Sequence, residues 1–217
     1  MSETGTTTIV TGTTDPAPGA ILEPSGKEIP MYPTNKISRA LAAFFMCTAL
    51  AGAAEAVPFA VTSPSIAPGG TFDGRFVLNG FGCTGGNISP ALAWSGAPKG
   101  TRSFAVTLYD PDAPTGSGWW HWVMFDIPPD ITALPEGAAA GQGLPDKAVA
   151  SMTDFGKAGY GGPCPPVGDA AHRYRFTVYA LKVDALPLDD TAPAAMVGFM
   201  IGQNTIGKVT LEIRYGR

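Results

Sequence analysis

The sequence predicts a mostly β domain made of two stacked antiparallel sheets with few helices, and three observations carry that prediction. Glycine (28) and proline (21) are abundant among 217 residues, which favours many short strands joined by tight turns. Four segments alternate in the period-two manner of half-buried strands. A single stretch reads as a helix. With 45% hydrophobic and 15% charged residues, the chain suits one globular domain with a proper core rather than two.

The first 56 residues read differently from the rest. Residues 1–30 are Thr/Gly/Pro-rich with little to bury and are expected to be a disordered extension. Lys36 and Arg39 precede an apolar run, 40–54, closed by Ala54-Glu55-Ala56, so 31–56 has the pattern of a secretory signal peptide. The run of fifteen falls short of the ~20 residues that span a bilayer. Cys47 lies inside this run without the small-residue context of a lipidation site. Because such signals begin at the N-terminus, Met31 is the expected translation start, and N-terminal sequencing of the precursor tests it. Cleavage after Ala56 leaves one domain, 57–217, exported to the periplasm or medium and free of an integral membrane segment. It carries 11 Lys/Arg and 13 Asp/Glu, a net charge of −2 with no basic cluster, which argues against nucleic acid as a partner. Two cysteines remain, Cys83 and Cys164. In an oxidising compartment they suggest a disulfide rather than two buried free thiols.

Along that domain, residues 103–109 place Phe104, Val106 and Leu108 on one face. An aromatic, β-branched run, 120–127, ends at Pro128-Pro129. Residues 173–181 put Tyr174, Phe176 and Val178 together, and 208–215 set Val209, Leu211 and Ile213 against Thr210, Glu212 and Arg214. Shorter strands are expected at 59–62, 75–78 and 91–94. The helix is expected over 194–203, with Asp190, Thr191 and Pro193 supplying caps and an early proline. Between Ile127 and His172 lie more than forty residues without regular pattern. They contain Tyr160-Gly-Gly-Pro-Cys-Pro-Pro166, whose prolines and cysteine mark a built loop of the kind that lines sites.

The two histidines are informative. His121 sits in Gly118-Trp-Trp-His-Trp122, and His172 begins His172-Arg173-Tyr174, where period two puts His172 and Tyr174 on one face. Asp110-Pro111-Asp112-Ala113-Pro114 ends a hydrophobic strand in a turn stiffened by two prolines. Each element alone has a bland reading: a turn, a hydrogen-bonded core histidine, a core tyrosine. Their shared position at strand ends beside a proline-rich loop favours a site.

In order, Asp110-Pro-Asp-Ala-Pro114, Trp120-His-Trp122, Gly162-Pro-Cys-Pro-Pro166 and His172-Arg-Tyr174 resemble the signature of the phosphatidylethanolamine-binding protein family. The likeness is to its bacterial Raf-kinase-inhibitor-like branch, the YbhB/YbcL type. Asn87-Ile-Ser-Pro90, Ala91-Leu-Ala-Trp94 and Arg214-Tyr-Gly-Arg217 fit that branch as well. The resemblance spans 57–217. It implies a large central antiparallel sheet packed on a smaller sheet with a few short helices, and a cavity for phosphate, acetate or phosphoryl head groups. By motif position the ligand-binding residues are Asp110, His121, Pro166, His172 and Tyr174, with Asp112 in support, and the Ala113–Pro114 peptide is cis. Cys164 departs from the eukaryotic form of the loop.

Imidazole N–H groups, the Tyr174 hydroxyl and loop amides can donate to an anion. Asp110 fits such a site by accepting from a histidine or from a protonated ligand oxygen or amine. A carboxylate also favours charged histidine, so ligand affinity is expected to rise as pH falls towards 6. The function read from the sequence is therefore binding of a small anionic ligand, with a protein partner as a further role, and with no cofactor, metal or catalytic residue assigned. The alternatives are a hydrolase using the same His/Asp pocket and a protease inhibitor acting through surface loops. Against the enzyme, the chain lacks His-x-His, His-Glu-x-x-His and Gly-x-Ser-x-Gly patterns.

Overall fold

A computed structural model describes residues 57–217 apart from Gln142 and Leu144. The readings of the extension, the signal segment and Cys47 lie outside these residues. Ten strands and one α-helix follow in order: β1 (Ala60–Thr62), β2 (Asn79–Gly80), β3 (Cys83–Thr84), β4 (Leu92–Ser95), β5 (Ser103–Asp110), β6 (Trp119–Ile127), β7 (Ala133–Leu134), β8 (Val149–Ala150), β9 (His172–Leu181), α1 (Ala194–Asn204) and β10 (Thr205–Tyr215). A five-stranded antiparallel sheet in the order β10-β9-β5-β6-β8 faces a three-stranded one, β1-β4-β7, and β2-β3 form a separate hairpin. The expected class, mostly β with two antiparallel layers, is the observed one. No helix among the described residues is long and apolar enough to cross a membrane.

The alternation read from the sequence sets the layers. Phe104, Val106 and Leu108 of β5 join Trp122, Met124, Tyr174, Phe176 and Val178 in a core closed from the other side by Val61, Leu92, Trp94 and Leu134 of the small sheet. The opposite face of the central sheet buries Ala105, Val123 and Phe125 under Val197 and Ile201 of α1. The central strands are thus apolar on both faces. The edge strand β10 keeps strict alternation, with Lys208, Glu212 and Arg214 outward where charge discourages edge pairing.

Two local expectations fail. Residues 75–78 form no strand. Phe76, Val77 and Leu78 are all buried, but their backbone bonds go to scattered partners instead of one neighbouring strand, such as Leu78 N–H to Pro163 O at 3.2 Å and Asn87 N–H to Val77 O at 2.9 Å. Helix α1 has Pro193 as its N-cap and no side-chain cap bond. Asp189 turns its carboxylate to Thr191 instead, a local turn that competes with capping. At the other end, Thr205 and Asn204 donate to the carbonyls of Ile201 and Met200.

The long segment between β6 and β9 is built, as expected. It holds β7, β8, a 3-10 turn (Ala138–Ala140) and a bridge from Tyr160 to Trp122. Cys164 in this segment forms a disulfide with Cys83 of β3, Cα–Cα 6.1 Å.

Candidate functional site

The site lies at one end of the central sheet, where β5 stops, β6 and β9 begin, and the 161–166 loop crosses above them. Asp110 is the last residue of β5 and shares a face with Phe104, Val106 and Leu108. His172 and Tyr174 open β9 on that same face. For His121 simple alternation points the wrong way, because Val123 and Phe125 of the same parity pack under α1. A β-bulge resolves it. Leu108 pairs with Trp122 and Tyr109 with Trp120, so His121 is the extra residue, and side-chain parity reverses across it. Its ring meets Tyr174 edge-on at 5.2 Å. The loop can approach this closely because Gly162 carries no side chain: a Cβ there would lie 2.1 Å from Phe76 O.

These groups converge on one cavity of about 380 Å³. Asp110, His121, Pro166, His172 and Tyr174 line it, together with Trp119, Phe155, Phe81, Thr115 and Arg217. Asp112 stands behind the wall. Its carboxylate takes Arg173 Nε at 2.8 Å, a terminal guanidinium nitrogen at 2.5 Å and the Arg173 backbone N–H at 2.8 Å, and so locks the start of β9 to the acidic turn. The Arg173 guanidinium holds the Asp112 carboxyl well below the usual carboxylate range.

The expected cis peptide is absent: among the described residues every peptide is trans. The trans form is favoured by about 0.5–1 kcal/mol before proline, and here the turn closes with Thr115 N–H donating to Ala113 O at 2.8 Å.

His172 and Asp110 are both buried, with His172 Nδ1 donating to Asp110 Oδ2 at 2.8 Å. The other ring nitrogen, Nε2, lies 3.5 Å from Asp169 Oδ2. Asp110 Oδ1 accepts the Asp112 N–H at 2.9 Å. Burial, then the Asp110 charge, push the Tyr174 hydroxyl far above its ordinary range. His121 donates Nδ1–H to Gly161 O at 2.7 Å. Burial lowers its pKa to about 4, so this imidazole is neutral from mildly acidic pH upward. Charging of His121 therefore supplies no part of the affinity rise expected towards pH 6. Among the described residues no three His, Cys, Asp or Glu side chains gather as a metal site.

Sequence reasoning missed Arg217, Trp119, Phe155 and Phe81. Arg217 was visible in the closing Arg-Tyr-Gly-Arg motif, and Trp119 two residues before His121. Phe155 and Phe81 had no signal in spacing; they meet at 6.0 Å where the β2-β3 hairpin is tied to the 161–166 loop, in part by the disulfide.

The family profile described as Phosphatidylethanolamine-binding protein matches residues 62–216. The chain belongs to the phosphatidylethanolamine-binding protein family. Within it, the chain is 53% identical over 162 residues to the UPF0098 protein YbcL of Escherichia coli K12, covering 74% of this chain and 87% of YbcL. It is 49% identical over 142 residues to E. coli YbhB, covering 65% and 89% of the two chains. The crystal structure of E. coli YbcL superposes with a TM-score of 0.71 at 50% identity, over 73% of this chain and 98% of that one. A Mycobacterium tuberculosis relative, provisionally named lipoprotein LppC, is 35% identical over 161 residues, 73% of each chain.

Proposed function

We propose that this member of the phosphatidylethanolamine-binding family is an exported protein that holds a small anionic ligand, a phosphoryl or carboxylate group, in the cavity at the end of its central sheet. One observation carries the reading. Asp110, His121, Pro166, His172 and Tyr174 come from four separate segments and meet around one space of about 380 Å³, within the usual range of small-molecule sites. Arg217 adds a cation to the wall. Export is supported by the signal-like pattern of 31–56 and by a disulfide in the cavity wall, since such bonds persist in oxidising compartments. The lipoprotein name carried by the relative LppC agrees with export.

The hydrolase alternative has less support. Of the nucleophile types on the cavity wall, Cys164 is in the disulfide, Thr115 donates its hydroxyl to Gly118 O at 2.5 Å, and the Tyr174 hydroxyl resists ionisation.

Calorimetric titration of the full chain with phosphate, a phosphate monoester and acetate tests the proposal. Saturable one-to-one binding is expected for at least one of them. Tyr174→Phe, which removes a hydroxyl from the cavity wall, should weaken it roughly tenfold. Absence of saturable heat from all three, with turnover in an esterase or phosphatase screen, would replace binding by catalysis.

A further inference from the structure

Several hydrogen-bond donors at the cavity are already committed, and two of its groups can only accept. His172 directs Nδ1–H to Asp110 and its other nitrogen faces Asp169. The Tyr174 hydroxyl lines the cavity and can donate or accept. Thr115 Oγ1 donates to Gly118 O, and Gly162 N–H to Asn87 Oδ1 at 2.8 Å. His121 directs its one N–H to Gly161 O. A neutral imidazole that donates through Nδ1 presents a lone pair at Nε2, and that nitrogen holds no hydrogen bond among the described residues. Asp110 accepts from Asp112 and His172, and a carboxylate has about four acceptor positions, so about two remain. His121 and Asp110 thus offer a guest acceptors.

Positive charge sits at the rim. The Arg217 guanidinium donates to Pro165 O at 2.6 Å, Gly82 O at 3.2 Å and Phe81 O at 3.4 Å, which leaves part of its five-donor fork open. A fully deprotonated oxyanion would meet Arg217 on one side and set its oxygens against a lone pair and a carboxylate on the other. An oxyanion that keeps one acidic hydrogen satisfies both.

We infer that the cavity selects oxyanions that still carry an acidic proton, with His121 Nε2 and an open Asp110 position accepting the guest's O–H while Arg217 balances its charge. This inference rests on the ligand-binding reading above. It makes His121, beside Asp110, a selectivity-determining acceptor instead of an anion donor, the reverse of the role that imidazole N–H groups suggest from sequence.

Inorganic phosphate and sulfate are the discriminating probes, similar in size and shape, because near pH 6 phosphate retains an acidic hydrogen and sulfate has none. Calorimetric titration of the full, disulfide-bonded chain near pH 6 should give phosphate roughly tenfold or more tighter than sulfate, the usual cost of an unmatched buried acceptor. His121→Gln, which can turn an amide N–H to the guest, should bring the two within about threefold, chiefly by tightening sulfate. Equal affinity of the wild type for both anions, or a ratio unchanged in His121→Gln, overturns the inference while leaving the ligand-binding reading in place. Methylammonium bound more tightly than phosphate overturns it in favour of a cationic donor. Failure of both anions, a phosphate monoester, acetate and methylammonium to bind removes the parent reading as well. Should His121→Gln fail to fold, by far-ultraviolet circular dichroism, the wild-type phosphate-to-sulfate ratio decides alone.

Discussion

At the scale of single residues, His121 shows how burial outweighs neighbouring charge. Asp110 lies close enough to favour the imidazolium, yet the ring has lost its solvent, and desolvation dominates to leave a pKa of about 4. The consequence for stability has a definite sign. The folded pKa is below the unfolded value of 6.5, so between about pH 6.5 and 4 the unfolded chain binds the extra proton. The contribution is complete above pH 6.5 and is lost as pH falls towards 4, about 3 kcal/mol in all. Urea denaturation across this window should therefore show the wild type losing about 3 kcal/mol relative to His121→Gln, which has nothing to titrate at that position. Parallel stability curves for the two proteins would refute it. The residues themselves were legible in the sequence, because histidines, prolines and an acidic turn at strand ends are local signals. Their roles were not. Whether an imidazole offers a hydrogen or a lone pair depends on Gly161, forty residues away, and on a loop whose path has no local code.

Strand β6 carries the site at the next scale, and its irregularities matter more than its alternation. It has two bulges against β5. The first re-aims His121. The second lies between the Phe104–Ile127 and Val106–Met124 pairs, where Phe125 and Asp126 together oppose Ala105. Asp126 takes the left-handed conformation there, φ 57°, and its Oδ1 accepts the Leu186 N–H at 2.8 Å, anchoring the chain that leads from β9 to α1. Asparagine tolerates left-handed φ and can keep that acceptor, whereas alanine does neither. Asp126→Ala is thus expected to destabilise by about 2 kcal/mol and Asp126→Asn by less than about 1 kcal/mol, measured by chemical denaturation. Equal losses in the two variants would show that neither the φ nor the hydrogen bond is important. This scale also marks the limit of pattern reading. The four long strands and α1 were predicted within a few residues because apolar periodicity survives in each of them. The strand at 75–78 was not real, since a segment buried at successive positions and bonded to scattered partners imitates a short apolar strand. Bulges escape notice because one inserted residue leaves composition unchanged while reversing every side chain beyond it.

For the whole molecule, the cavity wall is a long-range construction with three independent ties. The β2-β3 hairpin is joined to the 161–166 loop by the Cys83–Cys164 disulfide, with Leu78 N–H donating to Pro163 O close by. Arg217, just past β10, bonds the hairpin through Phe81 O and Gly82 O and the loop through Pro165 O. These ties act on different states. A crosslink between residues 81 apart chiefly restricts the unfolded chain, and chain-entropy reasoning gives about 4–5 kcal/mol for a loop of that length. The Arg217 and Leu78 hydrogen bonds exist only in the folded state and hold the wall where it is. Cys83→Ser with Cys164→Ser should therefore lower stability by about 2–5 kcal/mol while changing phosphate affinity by less than about threefold. Arg217→Gln should do the reverse, with little loss of global stability and roughly tenfold weaker phosphate binding, because it removes a cation from the cavity wall as well as a tie. Paired denaturation and calorimetry on the two variants separate these effects. Parallel loss of stability and affinity in the serine variant would mean that the disulfide itself sets the shape of the cavity, since the remaining hydrogen bonds would then be too weak to hold the hairpin against the loop.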